Sequence, residues 1–505
     1  MRVTKRYRLK IKNYRSAEPS MRRPNLINCF LMGIALLAAP RTQAQEYPFI
    51  NTEANVLHYD STAAPMLTFF QKFHHLATTG QGSVNIVHIG GSHVQAGTFP
   101  HRIRTRLLSA YPTLVGGRGL VFPYSAAAKC NNPPDYKVHC VEKVALTRNV
   151  YRQPEYPLGL CGISVTATDT PTTVQLLNND HSLNYGVSRI VVLGYSPNGV
   201  IPSVSYDGST TPPSYIDTTH HRYVFNLRQT VDSVSILLPC REGESFTLTG
   251  VLLDSRHAGI TYHSIGVNGA AVPDYLKCCL TNDLRMVRPD MVVFGIGIND
   301  AHGTDFDSAA FRRNYLRLCD SIRSVNPSCA FIFITNNDCY RKTGRRSYSV
   351  NRNGLLVREV CYRLAAETGG AVWDQFEIMG GLKSMEKWQK AGLAQKDKVH
   401  FTRSGYQLLG DMFYEALSRE LNNPARWSGA GKAPAGEKKQ ARQNKPDRTQ
   451  VQPDTLNGKP LPRGLRRKPQ HRRVTIVDKP SETKPTPNNN QNSQSSSDRF
   501  PYISD

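Results

Sequence analysis

Between residues 259 and 421 the chain repeats one pattern, an apolar run, a polar turn and an amphipathic stretch, and no other feature limits its fold as much. The runs fall at 259–265, 291–296, 330–335 and 371–376; helical periodicity follows through residue 284 and over 309–325, 355–368 and 405–421. An unbroken run such as Met291-Val292-Val293-Phe294-Gly295-Ile296 suits a strand covered on both faces, hence a parallel sheet between helices. The alternation predicts a three-layer α/β domain. Its strand-to-helix turns gather at the carboxyl edge of the sheet, where open α/β folds place their sites.

One more such unit lies far upstream. Val84-Asn85-Ile86-Val87 leads into Gly90-Gly91-Ser92-His93, residues 99–108 read as a helix, and the apolar face of 59–76 predicts another helix beside that strand. Between the two parts the pattern changes. Residues 121–254 hold short β-rich runs at 163–168, 173–177, 189–195, 222–227, 233–239 and 246–253, separated by turns such as Pro197-Asn198-Gly199. That spacing predicts a β-sandwich-like insert interrupting the α/β domain. Carbohydrate binding is a role open to such a module, although architecture alone does not assign it.

A formal charge of +24 raises the question of a nucleic-acid partner, and its distribution argues against a specific one. Residues 1–23 carry a net +8 and residues 421–505 a net +10, leaving about +5 for 45–420, which is ordinary for a globular domain. Met21-Arg22-Arg23, the apolar run 26–40 and Thr42-Gln43-Ala44 read as an export signal, with an uncleaved amino-terminal anchor as the alternative. Export would place the mature chain in the periplasm or at the cell envelope. Residues 422–505, rich in Lys, Arg, Gln, Asn, Pro and Ser, carry too little apolar surface to offset the entropy of ordering. They read as a disordered basic tail, either simply solvated or attaching the protein to acidic polymers of the envelope. The expected organisation is therefore a basic leader and signal (1–44), two parts of one α/β domain (45–120 and 255–421), the β-rich insert (121–254) and the tail (422–505). Ten of the 11 cysteines follow the leader, an even number that permits disulfides in an exported chain.

Chemistry concentrates in the turns. A serine in a glycine turn between strand and helix is displayed at the sheet edge, which makes Ser92 the candidate nucleophile; a serine capping the next helix is the alternative. Asp397 and His400, three apart before the last helix, are spaced so that the carboxylate can orient the imidazole, and His400 can then take the Ser92 proton. Acyl transfer also needs donors for a developing oxyanion. The backbone amides of Ser92 and Gly269 and the side-chain amide of Asn299 are candidates, each of the last two equally suited alone to a plain turn. No cofactor is expected and no metal: the glycine turns lack the lysine of a phosphate loop and the third glycine of a dinucleotide fingerprint, and no Cys/His spacing suits zinc.

Four blocks, Ile89-Gly90-Gly91-Ser92-His93, Gly266-Val267-Asn268-Gly269, Gly297-Ile298-Asn299-Asp300 and Asp397-Lys398-Val399-His400, stand in the order found in the SGNH (GDSL-type) hydrolase family. The chain resembles that family over about 84–110 and 259–421. The resemblance implies Ser92 as nucleophile, His400 as base, Asp397 as its orienting acid, and Ser92, Gly269 and Asn299 as the oxyanion hole. The chain departs from the family at Gly91, where an aspartate is usual. The insert and export signal are also similar to envelope esterases that remove O-acetyl groups from peptidoglycan or polysaccharide. The expectation is an exported serine esterase acting on an acylated envelope glycan. A glycan O-acetyltransferase using the same triad and a catalytically degenerate glycan-binding protein are the alternatives.

Overall fold

The structure is a computed structural model that describes residues 47–127 and 130–427; the leader and the tail beyond 427 lie outside the described residues. Six strands form its central sheet: β1 (Leu57–Tyr59), β2 (Ser83–Gly90), β3 (Gly259–Gly266), β4 (Met291–Gly295), β5 (Ala330–Ile334) and β6 (Ala371–Trp373). Their order is β1-β6-β5-β4-β2-β3, parallel throughout except for β1, which pairs antiparallel with β6 at one edge. Every residue of β5 is buried, as its unbroken apolar run requires. Helices α1 (Ala64–Thr79), α2 (Thr98–Ala110) and α5 (Arg403–Leu421) pack together, and α3 (Ser308–Arg323) packs with α4 (Asn353–Thr368), completing the layers on the sheet.

Two local expectations are corrected. Residues 59–76 do not form one helix: Leu57–Tyr59 extends along β6, and α1 starts at Ala64 with Pro65 in its first turn, where a missing N–H costs nothing. Its buried Met66, Phe69, Phe70, Phe73 and Leu76 keep the predicted periodicity. The helix expected after β3 is broken into Val272–Tyr275 and Leu280–Val287. Between them the Cys279 amide donates to Leu158 O at 2.9 Å, so the inserted region takes a donor that a continuous helix would have used.

Antiparallel sheets of seven and five strands make up the inserted β region. It leaves the α/β domain along Gly117–Val121 and returns along Ser245–Asp254, and these two strands pair, Gly117 opposite Asp254. Because the chain departs and rejoins at one place, the parallel sheet closes across the gap: β3 runs beside β2 from Gly259 opposite Ser83 to Gly266 opposite Gly90. Buried apolar residues of both parts form one continuous core. All ten cysteines among the described residues are free thiols.

Candidate active site

β2 ends at Gly90, and the chain turns at once into one helical turn, Ser92–Gln95, whose Val94 and Gln95 amides donate to Gly91 O. A Cβ at Gly90 would lie 2.2 Å from Val94 Cγ2, so this turn depends on glycine. Tyr275 Oη braces it by donating to Gly90 O at 2.9 Å. Ser92 is thereby carried past the carboxyl end of the sheet. Its Oγ lies 2.8 Å from His400 Nε2, and His400 Nδ1 lies 2.7 Å from Asp397 Oδ2.

Asp397 is fixed by its own turn. Its Oδ1 accepts from the Val399 and His400 amides at 2.9 and 3.0 Å. Burial opposes ionisation, but the His400 imidazole and these amides outweigh it and hold the carboxyl below its ordinary value. The turn is pinned from outside as well: Asn337 Nδ2 donates to Val399 O at 3.0 Å, and the Tyr340 amide donates to Lys398 O at 3.1 Å.

The candidate oxyanion donors converge from β3 and β4. Gly269 holds φ +83° in the turn after β3, a conformation that favours glycine. That turn is tied to the Ser92 turn, since the Asn268 amide donates to Gln95 Oε1 at 2.7 Å and the Val267 amide to Gly90 O at 3.3 Å. Among the described residues neither the Ser92 nor the Gly269 amide has a hydrogen-bond acceptor. Asn299 Nδ2 donates to Ala270 O at 3.0 Å and lies 3.3 Å from the place a Cβ on Gly91 would occupy. An amide nitrogen has two hydrogens, so one remains for a ligand beside Ser92. An aspartate at 91 would therefore have to displace this amide by a few tenths of an ångström. Asp300 accepts from the Val272 amide at 3.1 Å; burial raises its carboxyl to about 7.

The structure thus brings Ser92, Asp397 and His400 into one hydrogen-bonded line and sets Asn299 beside it. His93, next to Ser92, reads from the sequence as a residue that supports the turn or lines the site, while the supporting Tyr406 had no sequence signal. Tyr406 Oη lies 2.8 Å from His93 Nδ1, and the His93 ring stands 5.0 Å from that of His400. Burial, followed by repulsion from His400, lowers the His93 pKa to about 3, so a neutral ring packs against the base. Gln95 and Tyr275 were equally silent, because their partners lie more than 170 residues away. The inserted region also reaches the rim: Arg148 donates to Asn268 O, and Lys277 Nζ donates to Asn149 O and Tyr151 O at 2.9 and 3.1 Å.

A hydroxyl, an imidazole and a carboxylate in this order can move a proton from oxygen to nitrogen while the carboxylate stabilises the imidazolium. Fold and site together define an α/β domain with a Ser–His–Asp hydrogen-bonded line at the carboxyl edge of its sheet. Residues 243–408 match the GDSL-like Lipase/Acylhydrolase family, a span that holds Gly269, Asn299, Asp397 and His400 and begins after Ser92. Over that span, about a third of the chain, the α/β domain is similar to the GDSL-like (SGNH) family. Among solved structures, a peptidoglycan O-acetylesterase is 21% identical over 72% of this chain and 99% of its own, with a TM-score of 0.60, a likeness of fold. An acetyl xylan esterase (19% identical, 32% of this chain, 83% of that one, TM-score 0.26) also matches. So does a family two carbohydrate esterase from Cellvibrio japonicus (10% identical, 57% of this chain, 98% of that one, TM-score 0.24). No curated protein matches the chain.

Proposed function

We propose that the protein is an exported serine esterase that removes O-acetyl groups from a cell-envelope glycan. The observation that carries this is the unbroken Ser92–His400–Asp397 hydrogen-bonded line at the sheet's carboxyl edge. Ser92 Oγ attacks the ester carbonyl as its proton passes to His400 Nε2. The Ser92 and Gly269 amides and Asn299 Nδ2 receive the oxyanion. Collapse expels the sugar hydroxyl, which takes the proton from His400, and leaves an acetyl-serine. Water, deprotonated by His400, then releases acetate and restores the serine.

Export rests on the sequence of residues 21–44, and the glycan substrate draws support from the fold shared with the peptidoglycan O-acetylesterase. The test is acetate release by the full chain from O-acetylated peptidoglycan and from acetylated xylan, with Ser92→Ala as control. Release from either that vanishes in the variant supports the proposal. Equal release by both proteins overturns it.

A further inference from the structure

Beyond Ile334 the chain leaves the carboxyl edge of β5, the same edge that carries Ser92, and Tyr340–Lys342 pairs with Tyr348–Val350 as a hairpin. Its base is fastened on two sides of the candidate site. On one, the Tyr340 amide holds Lys398 O, between Asp397 and His400, and Lys398 Nζ lies 4.6 and 5.6 Å from the Tyr340 and Tyr348 ring centres. On the other, Arg341 Nη1 donates to Gly303 O at 3.1 Å, while Asn351 and Asn353 donate to Ala301 O at 2.9 and 3.0 Å, just past Asn299.

Residues 340–352 carry Arg341, Lys342, Arg345, Arg346 and Arg352 and no acidic residue. Lys342, Arg345 and Arg346 are exposed at the tip and make no ion pair among the described residues. Glu386, beside the hairpin base, is already paired with Lys398 at 2.8 Å. Like charges held this close repel one another, a cost that an anionic ligand would offset. At the rise of a β-strand the tip stands about 10 Å beyond Tyr340. A reach of that length suits a polymer unit further along the same chain than the reacting ester.

We propose that this hairpin is an electrostatic subsite for a carboxylate-bearing glycan, so that O-acetyl groups on an acidic polymer are removed in preference to those on a neutral one. The proposal rests on the esterase reading of Ser92. Guanidinium groups at the tip would pair with glycan carboxylates, and the base would hold that pairing in register with the triad turn.

The test compares kcat/KM of the full chain on O-acetylated polygalacturonate with that on O-acetylated xylan, in the wild type and in Arg345→Gln/Arg346→Gln. The acidic-to-neutral ratio is expected to fall about fivefold in the variant at low salt. It should fall in the wild type at high salt as well. A ratio does not depend on the fraction of folded protein, so misfolding cannot imitate the result. The tail is present in both proteins, and its contribution cancels. A ratio unchanged by the substitutions overturns the proposal. To separate this from failure of the esterase reading, full-length Ser92→Ala, with and without the two tip substitutions, is run through gels containing unacetylated polygalacturonate. Retardation that the tip substitutions weaken supports the subsite even where no acetate is released, and retardation they leave unchanged overturns it.

Discussion

Asp397 and Asp135 each hold a basic side chain, one at the rim of the sheet and one deep between the two parts of the chain. Asp397 keeps 24% of its side chain exposed and faces an imidazole, a ring that can both accept and donate a proton. Asp135 is 1% exposed and lies between Arg104 and Arg118, whose guanidinium groups do not release theirs. Burial works against the Asp135 charge, yet the two arginines, assisted by His101, hold its carboxyl at about 2. Arg104, on α2, also donates to Tyr262 O and Ser264 Oγ of β3 at 2.9 Å, while Arg118 and Asp135 come from the inserted region. The buried cluster is a fixed joint, whereas under the proposed function the rim pair carries a proton. The acidity of the partner, more than the carboxylate itself, separates the two uses.

Substitution can break that contrast. Ser92→Ala is expected to lower acetate release by about 10⁶-fold and Asp397→Asn by about 10⁴-fold, measured per folded molecule. Asp135→Asn, by contrast, should destabilise the full chain by about 3–5 kcal/mol in denaturant titrations, because two buried cations lose their counter-charge. An Asp397→Asn protein that unfolds easily but turns over normally would reverse the two roles. On the donor side, Asn299→Ala should cost about 10²–10³-fold in kcat, with less effect on KM.

Acid sharpens the contrast further. Asp135 has a folded pKa below its unfolded one, so its stabilising share is present above about pH 4 and is lost as pH falls toward about 2. His88 and His263, buried neutral with pKa values lowered to about 3 by burial and then by the nearby arginines, act earlier. The unfolded chain takes up their protons first, so stability falls from about pH 6 downward by about 1.4 kcal/mol per pH unit for each. Denaturation midpoints that stay level from pH 7 to pH 4 would contradict this. The smallest effect belongs to Tyr406→Phe, which leaves His93 without its hydroxyl partner and should cost about 1 kcal/mol, read as a severalfold fall in kcat.

The sequence carried the parallel sheet and the α/β class because apolar runs and helical periodicity are local properties. It marked Ser92, Asp397, His400, Gly269 and Asn299 for the same reason: each lies in a short turn whose residue types are unusual together. β1 and the 340–350 hairpin escaped notice, since short strands rich in polar residues leave too little apolar pattern to read. The split helix after β3 escaped because its cause is a carbonyl on Leu158, more than a hundred residues upstream.

What the sequence determined by itself is therefore the repeating βα unit and the identity of the polar groups in its turns. Only the tertiary structure decided their distances: Ser92 and His400 lie 308 residues apart along the chain and 2.8 Å apart in space. The same holds for the neutral His93 behind the base, the buried Arg104–Asp135–Arg118 joint and the basic hairpin beside the triad turn. Such pairings depend on how helices and sheets pack over the whole domain, and packing is set by the sum of many burials that no short stretch of sequence contains.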